Sequence, residues 1–551
     1  MRASPVGRIW LVVILVLAGC SPSGEAALST TSAAPVTSAA PVTSAPPVTS
    51  TTAARSTAAT TTQAALPPGP APMMVGMNGY TVEGLFDVGD TVGGYRPTGK
   101  LDGIGAYELG PGTVRLLVNH EVGAGAGYEY ALGNGTRLRG ARVSYFDVDK
   151  ATRAVVGAGL AYDSVYDRSG SAVTSAAQIN ERGHATDGFS LLCSAQYVAP
   201  GGAFGFVDEI FFTNEEVGAP THPHGGSVWA LDIGNGALWA LPELGRGNWE
   251  NVTPLDTGDP STIALLLGDD SNPAPMYLWI GSLHPEATGG DDFVHRNGLG
   301  DGTLHVWVAD DPMARDSGDF SGTGASHAGT FVPIAVRDAA RAGTGGHDAA
   351  GYRDAATLRN DAVAGLGAFA FARPEDVATD PDDGTVVVYA TTGASAGADD
   401  WGAVYVVDVD FTAPTAPTAV VSILHDSNDF GDAGIRNPDN VDWARDGNIY
   451  VQEDRAHDAF GSVDGRDASI LRLDPDGGEF TVIAAMVRSG RFAHVLGQWE
   501  SSGILDVADL FGLPEPEMLL VATVQAHDRL THEVLEADLV EAGQLIWVRG
   551  E

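Results

Sequence analysis

The sequence predicts an all-β chain folded as a six-bladed β-propeller with four-stranded blades. Three observations predict it. One hairpin grammar occurs six times between residues 102 and 528, a second hairpin follows each copy, and from about 72 onward the chain is rich in Gly, Asp and β-branched residues. Glycine totals 71 residues, enough to supply turns at short intervals along many strands.

Each copy of the grammar has a polar or metal-capable residue, a strand, a turn bearing Gly or Pro, an apolar strand and a polar ending. Asp102-Gly103 leads the first, which ends in Asn119-His120-Glu121. Cys193 leads the second, ending in Asn214-Glu215-Glu216, and Glu250-Asn251 the third, ending in Asp269-Asp270. Glu375-Asp376 leads the fourth, which ends in Thr391-Thr392-Gly393. The fifth is "NPDNVDWARDGNIYVQED" (437–454). Its strands Val441–Trp443 and Ile449–Val451 flank an Arg445–Asn448 turn, so Asp439, Asn440, Glu453 and Asp454 should meet at one end. Glu500 leads the sixth, which closes at Ala526-His527-Asp528. Outer hairpins are expected at 143–161, 227–242, 303–335, 402–424, 469–487 and 531–550, each alternating like a half-buried strand pair. The long gap from Glu250 to Glu375 is expected to hold loop insertions, such as the Gly/Asp/Ala-rich stretch around 338–362, rather than a seventh blade.

Ahead of the propeller (72–551), residues 1–20 read as an export signal. Arg2 and Arg8 precede an apolar run, Ile9 to Leu17, that is too short to span a bilayer. Leu17-Ala18-Gly19-Cys20 is similar to a bacterial lipobox, in which Cys20 is lipidated and anchors the chain to the membrane. Residues 21–71 repeat Ser-Ala-Ala-Pro-Val-Thr and are expected to form a disordered tether, since such text cannot bury enough apolar surface to offset chain entropy.

The net charge of −41 argues against nucleic acid or anionic lipid as partners and makes cations the natural ones. Equivalent strand ends of a propeller point at one channel mouth, so the leading and closing acids should converge there. Like charges gathered in one place are costly unless a cation neutralises them. A turn-forming role explains any one Asp or Asn, but glutamate and cysteine do not form turns. Oxygen donors suit Ca²⁺; Cys193 suits a transition metal as a thiolate, or is a buried structural thiol. Other signals are set aside. Gly393 to Gly397 matches a nucleophile elbow with no helix pattern after it, and His222 and His224 read as polar loop residues.

The stretches "LVNHEVG" (117–123), "FSLLCSAQYV" (189–198), "FARPEDVATDP" (371–381) and the 437–454 hairpin resemble the PhoX-type bacterial alkaline phosphatase family. The resemblance spans about 75 to 530. It implies a six-bladed propeller that holds Ca²⁺ and Fe³⁺ at one end of its channel and hydrolyses phosphate monoesters; a monomer is expected. Cys193 matches the family's iron-binding cysteine. Glu121, Glu216, Glu375, Asp439 and Glu453 fall where metal carboxylates are expected, and Glu250 joins them by its place in the repeat. Asn119 and Arg373 match phosphate-contacting residues. The family also uses a lysine, yet Lys100 and Lys150 are the only lysines here and neither lies just before Cys193, leaving Arg182 or His184 to substitute. A calcium-stabilised binding propeller without activity, and a calcium-dependent phytase-like or lactonase-type hydrolase, are the alternatives.

Overall fold

A strand enters the channel wall six times, and five of the entries share one local device. In blade 1 the inner strand Leu101–Gly110 pairs with Thr113–His120, but Asp102 and Gly103 together face Asn119 alone. The same two-against-one bulge sets Cys193 and Ser194 in Leu192–Val198, Glu250 and Asn251 in Trp249–Leu255, Glu375 and Asp376 in Pro374–Thr379, and Asp439 and Asn440 in Pro438–Trp443. In the sixth inner strand, Glu500–Asp506, the extra residue is Gly503. A bulge bends its strand and re-aims the side chains beside it, which is how the leading pairs come to face the channel. Two bulge glycines are dictated by crowding: a Cβ on Gly103 would lie 2.4 Å from the Ala195 nitrogen, and one on Gly503, at φ +53°, 2.3 Å from the Asp102 carbonyl.

The computed structural model describes residues 69–550 except 181–183, 218–223, 290–291, 396, 398, 464 and 489–493. Cys20, the export signal and the tether up to residue 68 lie outside the described residues, as do His222 and Arg182. The six inner strands pack side by side in chain order and the last closes on the first, giving the six-bladed β-propeller. No helix among the described residues is long and apolar enough to cross a membrane.

Blades 1 and 4 are four-stranded from contiguous sequence. Blade 2 gains a fifth strand, Ser164–Tyr166, running parallel beside Ala237–Ala240, and blade 5 gains Met74–Gly76 beside Phe480–Met486. Blade 3 departs from the expected pattern. Tyr277–Ser282 is its third strand, so the hairpin expected at 303–335 supplies the fourth and fifth, Gly302–Ala309 and Ser326–Ile334. Ser326–Ile334 then pairs with Thr418–Asp426 and fuses blades 3 and 4 into one nine-stranded sheet. The 338–362 stretch holds only short helical turns, including Ala355–Asn360, and no seventh blade.

Blade 6 corrects a second expectation. Residues 531–550 contain one strand, Ala542–Gly550, after a short helix, His532–Glu536, and the outer strand is Thr81–Asp87 from the start of the folded part. This strand closes the ring with hydrogen bonds between the two ends of the domain. Between blades lie five apolar clusters. Trp229, Trp249, Trp279 and Trp307 are all but fully buried in them, and each such side chain is worth roughly 1.5–3 kcal/mol on burial.

Candidate active site

The residues just ahead of the inner strands share a strained backbone. Lys100, Leu191, Arg373 and Asn437, in blades 1, 2, 4 and 5, all have positive φ, between 46° and 56°. A non-glycine residue in that region is uncommon and persists only where its surroundings impose it. Each stands two positions before a ring residue: Asp102, Cys193, Glu375 or Asp439. Lys100 and Arg373 therefore occupy equivalent places on blades 1 and 4, which are opposite one another in a ring of six.

Side chains from all six blades meet at this mouth. One oxygen each from Glu250, Glu375 and Asp439 lie within 4.8 Å of one another, as do the Cys193 sulfur and oxygens of Glu216 and Glu250. Glu250 belongs to both groups. The Cys193 Sγ is 3.6 Å from Asp102 Oδ2, which also accepts from Ser502 Oγ at 3.0 Å and Gln525 Nε2 at 2.9 Å. Asp102 Oδ1 is buried with no hydrogen-bond partner among the described residues. Glu121 is reached by Gln525 Nε2 at 3.0 Å and by the Lys100 ammonium at 3.5 Å.

Beneath this ring the second bulge residues form a hydrogen-bonded floor. Ser194 Oγ donates to Glu250 Oε1 at 2.7 Å and accepts from Asn440 Nδ2 at 2.7 Å. Asn251 donates to Asp376, which also accepts the Val441 N–H at 3.0 Å. These contacts cross from blade to blade and fix the ring side chains from below.

Negative charge dominates. Asp102, Glu121, Glu216, Glu250, Asp270, Glu375, Asp439, Asp454 and Glu500 interact electrostatically around the mouth, against the cationic Lys100, Arg373 and His527. Burial first, and neighbouring carboxylates second, push Asp102, Glu216, Glu375 and Asp439 well above the usual carboxylate range. Burial lifts Glu250 to about 8 and Asp454 to about 7. Burial and the charges of Asp102 and Glu250 likewise raise the Cys193 thiol. Burial alone would lower His527, but hydrogen bonds to Glu500 (3.1 Å) and Glu541 (2.8 Å) raise it to about 11, so it is an imidazolium. A cluster that resists ionisation in this way fits a cation, which would favour every carboxylate and the thiolate together.

Six of the residues expected to bind metal are thus brought to one place: Glu121, Cys193, Glu216, Glu250, Glu375 and Asp439. Glu453 is placed differently. Its carboxylate accepts from Arg436 Nε at 2.9 Å and Nη2 at 2.6 Å, and Arg466 Nη1 is 3.2 Å away. Both partners of the Arg436–Glu453 pair are fully buried. Its successor Asp454 is the one that senses the mouth, because alternate residues of a strand face opposite sides. Removing one partner of a buried pair strands the other. Arg436→Ala is expected to destabilise the fold by roughly 3–5 kcal/mol in urea unfolding, while Glu453→Gln leaves bound-metal content unchanged.

Asn119 is also committed elsewhere. Its Nδ2 donates to the Cys193 carbonyl at 2.6 Å and the Ser194 carbonyl at 3.2 Å, and its Oδ1 accepts from Thr213 at 2.9 Å. It staples blade 1 to blade 2 and holds the Cys193 backbone. Arg373 is at the mouth, gripped in a fork by Asp270 (2.8 and 2.9 Å) and 3.0 Å from Glu375. It remains 27% exposed, so one face is open to an anion. His184 is exposed, and its backbone N–H donates to Asp187 Oδ2 at 2.9 Å. Sequence reasoning gave Lys100, Asp270, Asp454, Glu500 and His527 no ligand or substrate-binding role. Glu500 led its repeat copy and Asp270, Asp454 and His527 stood in the closing residues of theirs, whereas Lys100 had no signal beyond its place two residues before Asp102.

Residues 239–490 match the family model of alkaline phosphatase PhoX. Over that segment the chain is similar to PhoX. Among solved structures it is similar to Pseudomonas fluorescens PhoX in complex with vanadate, at 14% identity and a TM-score of 0.59, covering 87% of this chain and 96% of that one. At that identity the likeness is one of fold, the β-propeller. Weaker similarities are to a Synechocystis apocarotenoid oxygenase mutant (11% identity, TM-score 0.30, 83% and 88% coverage) and to a glucose dehydrogenase (12%, 0.21, 74% and 100%). No curated protein matches the chain in sequence.

Proposed function

We propose that the protein is an exported, metal-dependent phosphatase that hydrolyses phosphate monoesters at the channel mouth, held to the membrane through Cys20. One observation carries the reading: carboxylates from several blades, one thiol and three cationic side chains share a single buried mouth in a chain with a PhoX match. The structural neighbour binding vanadate, a transition state analogue, supports the same reaction class.

Glu250, Glu375 and Asp439 would hold a hard cation such as Ca²⁺, and Cys193 with Glu216 and Glu250 a softer one such as Fe³⁺. Bound there, the metals would polarise the phosphoryl oxygens and align the attacking water. The chain's own groups do the rest. Arg373, immobilised by Asp270, offers a guanidinium that need not reorganise as charge develops on the phosphoryl oxygens. Lys100 adds a second positive group from the opposite blade, kept protonated by Glu121, Glu541 and Glu500 against the cost of its burial. In so acidic a protein these local charges are what draws in an anionic ester.

The test is metal analysis of purified protein beside turnover of p-nitrophenyl phosphate. The expected result is a transition metal together with calcium, activity abolished by a chelator, and the transition metal lost in Cys193→Ala. Calcium alone with no turnover would leave the binding propeller instead. Arg373→Ala is expected to lower kcat/KM by about 10²-fold at unchanged metal content, the scale for removing one transition-state donor.

A further inference from the structure

A second acidic pocket lies on blade 4, away from the channel mouth. It is a cavity of about 280 Å³ where the 310–325 connection of blade 3 meets the 392–402 connection and the end of Thr418–Asp426. Asp399, Asp400, Asp426 and Asp429 line it with Ser317 and Tyr405. Among the described residues, no lysine or arginine pairs with any of the four acids.

Among the described residues, hydrogen bonds hold one carboxylate oxygen of Asp399, one of Asp429 and both of Asp426. Asp399 Oδ1 accepts from the Gly402 N–H at 2.8 Å and Asn428 Nδ2 at 2.8 Å, and Asn428 Nδ2 also reaches Asp426 Oδ1 at 3.0 Å. Asp426 Oδ2 takes the Gly322 N–H at 2.6 Å, and Asp429 Oδ2 the Thr323 N–H at 2.8 Å. Asp399 is only 3% exposed, yet its Oδ2 has no partner, and Asp400 Oδ1 has none either. Ser317, on a different segment and 5% exposed, brings its hydroxyl to the same cavity beside Tyr405. A buried carboxylate oxygen left unsatisfied costs free energy unless something outside the chain occupies it.

We propose that this pocket binds a divalent cation of the Ca²⁺ class, which ties the 310–325 connection of blade 3 to blade 4. Every available donor is oxygen, with no histidine or cysteine in the lining, and such a set favours a hard cation over a transition metal. The carboxylate oxygens here do not close to within 4.8 Å in groups of three as they do at the mouth, so the ion keeps several waters among its ligands. Burial, with the charges of Asp426 and Asp400, raises Asp399 to about 6, as expected where a counter-charge is missing. The ion would brace the place where Ser326–Ile334 joins the two blades.

The full chain equilibrated with Ca²⁺ tests this. Asp399→Asn keeps the side-chain volume and the Oδ1 acceptor. Bound calcium is expected to fall by one per chain and the calcium-induced rise in Tm to shrink, with phosphate-ester turnover within twofold of the parent. Unchanged calcium content and an unchanged rise in Tm would overturn the proposal. Should the variant fail to fold, crystals of the parent protein soaked in Ca²⁺ decide it by anomalous scattering. A peak beside Asp399 Oδ2 supports the site, and a bare cavity overturns it.

Discussion

Glu250→Gln is expected to abolish phosphate-ester turnover, with kcat/KM down by about three orders of magnitude, and to reduce both kinds of bound metal. The reason is position. Glu250 belongs to both candidate ligand groups, so one substitution removes a negative donor from each. Its side chain is buried and held by the Ser194 hydroxyl at 2.7 Å, a bond that glutamine can still accept. The fold should therefore survive, and the metal-free form should be no less stable, since a carboxyl that resists ionising is replaced by a neutral amide. A bound metal supplies several kcal/mol of charge stabilisation, and about 4 kcal/mol is a thousandfold in rate. Steady-state kinetics beside metal content measures both effects. Parent-like activity at parent-like metal content would remove the shared ring from the mechanism.

The second large effect concerns pH and metal together. Stripped of metal, the protein should lose stability steadily as pH rises from about 4 to 8, and Ca²⁺ should restore it most at the upper end. Unfolded carboxyls titrate near ~4. Folded Glu250 titrates at about 8 and Asp454 at about 7, with Glu216, Glu375 and Asp439 also raised. Across that window the native chain binds more protons than the unfolded one, so unfolding becomes easier with each unit of pH. His527 acts in the same direction. Its folded value of about 11 gives stability fully present below the unfolded value of roughly 6.5, and lost as pH climbs toward 11. Glu500 opposes, being held below its usual value by His527 despite burial, and so do His120 and His425, which burial lowers to about 3 and about 4. Their contributions are lost as pH falls, and the raised carboxyls outnumber them. Metal binding requires ionised ligands, so the calcium-induced rise in Tm should widen between pH 5 and 8. Melting curves with calcium and with chelator give that difference directly. A gap that stays flat with pH would mean the ring is not where calcium acts.

Blade number, channel direction and most of the ring were legible in the one-dimensional repeat, because alternation and turn residues specify hairpins locally. Asp102, Cys193, Glu250, Glu375 and Asp439 led their copies in the text and lead their strands in space, each at a bulge. Glu453 and Asn119 were misplaced by the same reasoning, since both stand at strand ends but point their polar atoms at Arg436 and at the neighbouring blade. One residue of register exchanges Glu453 for Asp454, and pattern alone does not say which of two adjacent acids turns inward.

What the sequence determined by itself was the local grammar: hairpins of period-two alternation, cut by Gly and Pro, each opening on a residue able to hold a cation. Only the tertiary structure decided which distant groups share a space. Ring closure brings Thr81–Asp87 beside Ala542–Gly550 and sets Lys100 on the blade opposite Arg373. Long-range pairing is fixed by burial and hydrogen bonding summed over whole blades, a quantity that no short stretch of sequence carries.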